Sequence, residues 1–228
     1  MKALLLLLAG CDGVFGLDGV PARPVDAAIV DSPDAAPDAA VCIDGAADVE
    51  RFDDPMATPC PWGFFDHGGF DYTIANGELS LTPMASYPGA QAGCGSFGAV
   101  AFGSFGEFIE LAQLGGGYSY LFFRIQWPDH TFSWLQQSGS AIEYRGPNDM
   151  ILGSVVFDPV ATRFLRMRPD GQSVVAEYSA DARTWSVLGV DPTPPPATVT
   201  PEFEYGTPGP NGEPNPTTAV IAGINACP

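Results

Sequence analysis

The feature that most constrains this chain is a succession of short runs with a period of two, each closed by Gly, Pro, Asn or Asp. The clearest is Tyr118–Trp127, where Leu121, Phe123, Ile125 and Trp127 share one face and Phe122, Arg124 and Gln126 the other. Glu78–Thr82 follows the turn signal Asn76-Gly77, and Ala99–Phe102, Glu107–Gln113, Phe132–Gln136, Ser140–Tyr144 and Ile151–Phe157 continue the series. Arg163–Arg168 sets Arg163, Leu165 and Met167 against Phe164, Arg166 and Arg168. Pro169-Asp170-Gly171 turns the chain into Ser173–Tyr178, and Ala180–Arg183 turns it into Thr184–Leu188. Helical periodicity is absent apart from a short turn expected within residues 86–96. The expected fold is all-β: a meander of antiparallel hairpins closing into a sandwich or barrel.

Two stretches interrupt the pattern. Residues 191–216 are rich in Pro, Gly and Thr, and the run Asp191–Pro196 cannot form a central strand, because successive prolines remove ladder donors. A surface crossing is expected there, followed by a closing strand within Thr217–Asn225. Residues 12–48 carry the repeat Pro-Asp-Ala-Ala and spaced aspartates that repel one another, so an extended, solvated tether is expected. The folded domain is placed at 49–228.

The first eleven residues form a third region. Lys2 precedes an apolar run, Ala3–Ala9, far shorter than the ~20 residues needed to span a bilayer. Leu8-Ala9-Gly10-Cys11 resembles a bacterial lipobox. That resemblance implies a signal peptide over 1–10, acyl chains such as palmitate on Cys11, and a lipid-anchored tether from 11 to 48. The membrane is then a partner through the N-terminal lipid. A cell-envelope location is expected, at the outer membrane or cell surface ahead of the inner membrane.

Past residue 10 the chain has eight arginines, no lysine and 27 acidic side chains, a formal charge of about −19. Such a chain repels phosphates, so nucleic acid is excluded as a partner. Four further cysteines, Cys42, Cys60, Cys94 and Cys227, suit two disulfides with three possible pairings. Cys227 would pin the C-terminus, with Cys42 or Cys60 as partner. Their spacing is not that of a zinc site, no cofactor is implied, and no metal site is assigned. Asp53-Asp54 and Asn148-Asp149 could contribute to calcium binding but lack EF-hand spacing.

Phe157–Arg168, followed by Asp170–Trp185, resembles a module of secreted bacterial proteins with concanavalin A-like or laminin-G-like sandwiches: an arginine-bearing strand, an Asp-Gly turn and a Tyr-Ser-x-Asp-x-x-Thr-Trp hairpin. Residues 215–221 are similar to the closing strand of that group. The resemblance implies an antiparallel jelly-roll sandwich and leaves function open, because such sandwiches include binding modules, glycosidases and domains without ligand.

Hydrolases with this fold carry Glu-x-Asp-x-x-Glu on one strand. Here Glu107 and Glu110 are three apart and point to opposite faces, while Glu177 and Asp181 flank a hairpin. His67 and His130 read as loop residues, and no nucleophile or nucleotide motif appears. A non-catalytic binding domain for carbohydrate or another envelope component is therefore expected ahead of an enzyme. The alternatives are a structural or protein-interaction lipoprotein and an atypical glycoside hydrolase. Trp134, beside Gln136 and with Tyr144, is the candidate sugar platform. Arg166 and Arg168 could recognise an acidic sugar through their guanidinium forks, or pair with Glu110, Glu143 or Glu177.

Overall fold

The computed structural model describes residues 49–54, 60, 63–95, 98–117, 119–207, 215 and 217–227. The chain divides into two units, Met1–Asp38 and Ala39–Pro228, and every described residue lies in the second. Cys11, the expected tether and Cys42 lie outside the described residues. Among the described residues no helix is long and apolar enough to cross a membrane.

Among the described residues fifteen strands follow in chain order: β1 (Phe64–Asp66), β2 (Phe70–Ala75), β3 (Glu78–Pro83), β4 (Gln91–Gly95), β5 (Val100–Ala101), β6 (Glu107–Gln113), β7 (Tyr120–Gln126), β8 (Phe132–Ser138), β9 (Ala141–Arg145), β10 (Ile151–Val156), β11 (Phe164–Asp170), β12 (Ser173–Ser179), β13 (Ser186–Asp191), β14 (Thr198–Gly206) and β15 (Ala219–Ile224). They build two antiparallel sheets. One has the order β1-β4-β14-β7-β8-β9-β10, with β5 also paired to β14; the other runs β13-β12-β11-β6-β15-β3-β2. This is an all-β jelly-roll sandwich.

Alternation carries the core. Leu121, Phe123 and Ile125 of β7, Leu135 of β8 and Ile142 and Tyr144 of β9 are fully buried, and they pack in one cluster with Ile109, Leu111, Leu165, Met167 and Ile221 of the facing sheet. Positive φ at Asn76 and Gly77 makes the tight β2–β3 hairpin that the Asn-Gly pair requires.

Pairing adds to one expectation and corrects another. Within 86–96 the chain turns at Ser86 and Pro88-Gly89 as expected, and strand β4, whose glycines hid its character, follows. The surface crossing expected over 191–216 contains β14, which lies between β4 and β7 near the middle of its sheet. Pro201 is tolerated because β4 pairs only from Glu202 onwards and β5 pairs at Thr198 and Val199, leaving Pro201 between the two ladders.

Cys60 bonds to Cys94 of β4, with Cα atoms 5.6 Å apart, so Cys60 is not the partner of Cys227. Cys227 is itself disulfide-bonded. Near the chain's end Asn225 holds the start of β6: its Oδ1 accepts from Phe108 N at 2.8 Å, and its Nδ2 donates to Glu107 Oε2 at 2.6 Å. Glu107 is fully buried and its Oε1 has no hydrogen-bond partner. Burial pushes its carboxyl up to about 7, against the lowering effect of Asn225.

Candidate functional site

The face of the β1–β10 sheet turned away from the core carries aromatic and charged side chains around two hollows. Period-two alternation sends Tyr120, Phe122, Arg124 and Gln126 of β7 to this face, with Phe132, Trp134 and Gln136 of β8, Glu143 and Arg145 of β9, and Glu202 and Glu204 of β14. Register then sets them in rows. One row reads Gly95, Glu202, Arg124, Trp134, Arg145, and the next reads Gly93, Glu204, Phe122, Gln136, Glu143. Two hollows of about 390 and 530 Å³ meet along this face, sharing Phe122 and Arg124 as their common wall. The smaller is aromatic, bounded by Phe132 and Trp134. The larger is polar, bounded by His67, Gln91, Tyr120 and both glutamates.

Charges converge where the hollows meet. Arg124 Nη2 donates to Glu202 Oε1 at 2.5 Å and to Glu204 Oε2 at 3.3 Å, while its guanidinium lies 5.1 Å from the Phe132 ring centre. Because both oxygens touch one nitrogen, they lie within about 6 Å of each other. The Tyr120 hydroxyl donates to Glu204 Oε1 at 2.8 Å, and burial raises the pKa of that phenol, keeping it a neutral donor. Further along, Arg145 pairs with Glu143 at 2.8 Å and Asp149 at 2.6 Å.

The sequence-selected residues fall in three places. Trp134 and Gln136 are on this face, the indole N–H donating to Gln136 Oε1 at 3.2 Å. Tyr144 is corrected: it shares the parity of Ile142, is fully buried, and its hydroxyl donates to Val174 O at 3.4 Å inside the sandwich. Arg166 and Arg168 lie on the outer face of the other sheet and take the second of their two expected roles, pairing with Glu177, so their acidic-sugar reading is corrected. Both bind Glu177, Arg166 at 2.6 Å and Arg168 at 3.0 Å, and Arg166 also stacks 3.9 Å from the Trp185 ring centre and 4.6 Å from that of Phe105. With donors and ring face committed, this cluster is a small second core, joined by Phe108 and Phe164. Arg163 pairs with Glu110 beside it. Among the described residues no group of three or more His, Cys, Asp or Glu side chains could hold a metal ion.

Glu202 and Glu204 were missed, although a signal was present. Glu202-Phe203-Glu204-Tyr205-Gly206-Thr207 has acidic residues at the first two positions of the Glu-x-Asp-x-x-Glu pattern, glutamate standing for the aspartate, and a buried threonine at the last. The neighbouring prolines concealed the strand that presents them.

No family model and no curated protein matches the chain. Among solved structures, the chain is similar to the GlcNAcα1-4Gal-releasing endo-β-galactosidase from Clostridium perfringens, with a TM-score of 0.51 and 12% identity over 78% of this chain and 61% of that one. It is also similar to LamA from Z. galactanivorans in complex with laminaritriose and laminaritetraose, with a TM-score of 0.50 and 10% identity over 78% of this chain and 96% of that one. At these identities the likeness is one of fold, and it makes this sandwich concanavalin A-like. The expectation that ranked an enzyme below a binding domain is corrected by these matches, because an endo-β-galactosidase adopts this fold. The ground for that ranking, the lack of acidic residues sharing a strand face, is removed by Glu202 and Glu204.

Proposed function

We propose that the open face of the β1–β10 sheet is the active site of an atypical glycoside hydrolase. The observation that carries this reading is the pair Glu202 and Glu204 on one strand face, within about 6 Å of each other, where an aromatic and a polar hollow meet. Arg124 thus holds these two oxygens closer together than the ~6.5–9.5 Å that leaves room for an attacking water, which favours a retaining mechanism. Trp134, Phe132 and Phe122 supply apolar surface for sugar rings. The carboxylates Glu143, Asp149, Glu202 and Glu204 outnumber Arg124 and Arg145 along the groove, which favours a neutral glycan over an acidic one.

In this reading Glu202, gripped through Oε1 by Arg124, attacks the anomeric carbon through Oε2. Protonated Glu204 gives its proton to the departing glycosidic oxygen as the C–O bond breaks. Ionised Glu204 then takes a proton from the water that hydrolyses the glycosyl ester, which returns both carboxyls to their starting state. Thr207 at the last acidic position is what makes the enzyme atypical. We further propose that acyl chains on Cys11 and the tether through residue 48 display the domain at the outer membrane or cell surface.

Incubating the full chain with β-glucans and galactans and measuring reducing ends tests the reading. Release is expected from the native chain, with E202Q inactive. E204Q should lose about 10²–10⁴-fold on polysaccharide but much less on aryl glycosides, whose leaving groups need no proton. Binding without release, or an E202Q variant as active as the native chain, overturns the hydrolytic assignment. Mass spectrometry of membrane-extracted protein tests the anchor: an unmodified Cys11 removes it.

A further inference from the structure

The polar hollow contains a chain of hydrogen bonds whose direction can be worked out from one end. Glu204 Oε1 accepts from the Tyr120 hydroxyl at 2.8 Å, so the phenol is the donor at this end of the chain. The hydroxyl has one proton, so its 2.8 Å contact with Gln91 must be a donation from Gln91 Nε2. That orients the amide and turns Gln91 Oε1 toward His67 Nδ1 at 3.0 Å; an amide oxygen only accepts, so the imidazole proton sits on Nδ1.

The surroundings are built for this chain. In the sheet Gly206 lies between Gln91 and Tyr120, paired with each. A Cβ at Gly206 would stand 2.4 Å from the Tyr120 hydroxyl oxygen, so only glycine lets the two side chains meet over it. The Phe122 ring packs 4.8 Å from that of Tyr120. His67 is anchored by its own N–H, which donates to Gln91 O at 2.9 Å, and its ring lies 5.4 Å from that of Phe65.

We propose that His67, Gln91 and Tyr120 are positioning residues of the groove: a one-way hydrogen-bond chain that locks His67 in its Nδ1–H tautomer and holds Glu204 Oε1, leaving Oε2 as the oxygen that faces Arg124 and the sugar. The catalytic consequence rests on the reading of Glu204 as acid–base, but the chain itself does not. Both carboxyl oxygens of Glu204 then have distinct tasks, and the plane of the carboxyl is set before substrate arrives.

The test is long-range ¹H–¹⁵N NMR of the full chain at pH 8. Two histidines, His67 and His130, are present, so H67Q assigns the signals. The native chain should show His67 protonated at Nδ1 alone, and Y120F and Q91L should each give tautomer-averaged shifts. Averaged or Nε2–H signals in the native chain, or a pattern unchanged in Y120F, overturn the chain. In parallel, Y120F should lower kcat about 10- to 100-fold with KM nearly constant. A native chain with no activity but the Nδ1–H signature would overturn the hydrolase reading and leave the hydrogen-bond chain standing. Unchanged kcat in Y120F with the tautomer lost would remove the positioning role.

Discussion

Glu107→Gln should uncouple stability from pH in a defined window. The side chain is fully buried at the start of β6, with one oxygen on Asn225 and the other without a partner. Burial raises its carboxyl from 4.5 to about 7. A raised folded value means that the native state holds the proton more tightly than the unfolded chain does. The group's favourable contribution is thus complete below about 4.5 and lost as pH rises through about 7. At ~1.36 kcal/mol per unit the whole loss is about 3 kcal/mol, and about 2.5 kcal/mol of it falls between pH 5 and pH 8. The amide introduced by E107Q would keep an acceptor for Asn225 without the titration. Urea unfolding at pH 5 and pH 8, with disulfides intact and tryptophan fluorescence as the probe, measures the difference. The native chain should lose about 2.5 kcal/mol more than the variant over that interval; the remaining carboxylates are common to both and cancel. Equal losses would refute the reasoning, because they would mean that Glu107 is already hydrated or charged in the folded state.

Replacing Cys60 and Cys94 together by serine opens a link between residues 34 apart, and chain-entropy arguments put the cost near 4 kcal/mol, read as a lower urea midpoint. E177A should destabilise by about 3–5 kcal/mol, since Arg166 would be left buried against Trp185 without its carboxylate. Binding of oligosaccharides by the surviving folded fraction should stay intact, as that cluster lies on the other sheet. Tyr144→Ala should cost about 3–5 kcal/mol through the cavity it leaves. Trp134→Ala, at a half-buried position on the open face, should instead weaken glycan binding with a much smaller loss of stability by the same urea assay.

Legibility followed the range of the forces. Leu121, Phe123 and Ile125 announced the inner face of β7, and β6 ran over the residues expected, because alternation is a local pattern imposed by burying one face. The same parity was there for Ile142 and Tyr144, but the sugar-platform expectation set it aside, and it was the structure that put Tyr144 in the core with Glu143 and Arg145 outside. The site was harder to read. Trp134 was visible as a large ring beside two glutamines, but Glu202 and Glu204 lay next to a proline run that reads as a crossing. Nothing local says that β4 ends just where Pro201 would break its ladder.

The sequence by itself determined an all-β chain, its turns and a strong excess of acidic over basic side chains. Only the tertiary structure decided which strands became neighbours. That choice brought Glu202 from β14 opposite Arg124 of β7, sent Arg166 and Arg168 to Glu177 on the opposite sheet, and put Gly206 between Gln91 and Tyr120. The physical reason is that pleat alternation is set by each residue's immediate neighbours, whereas the partner across a ladder is set by packing among residues far apart in the chain.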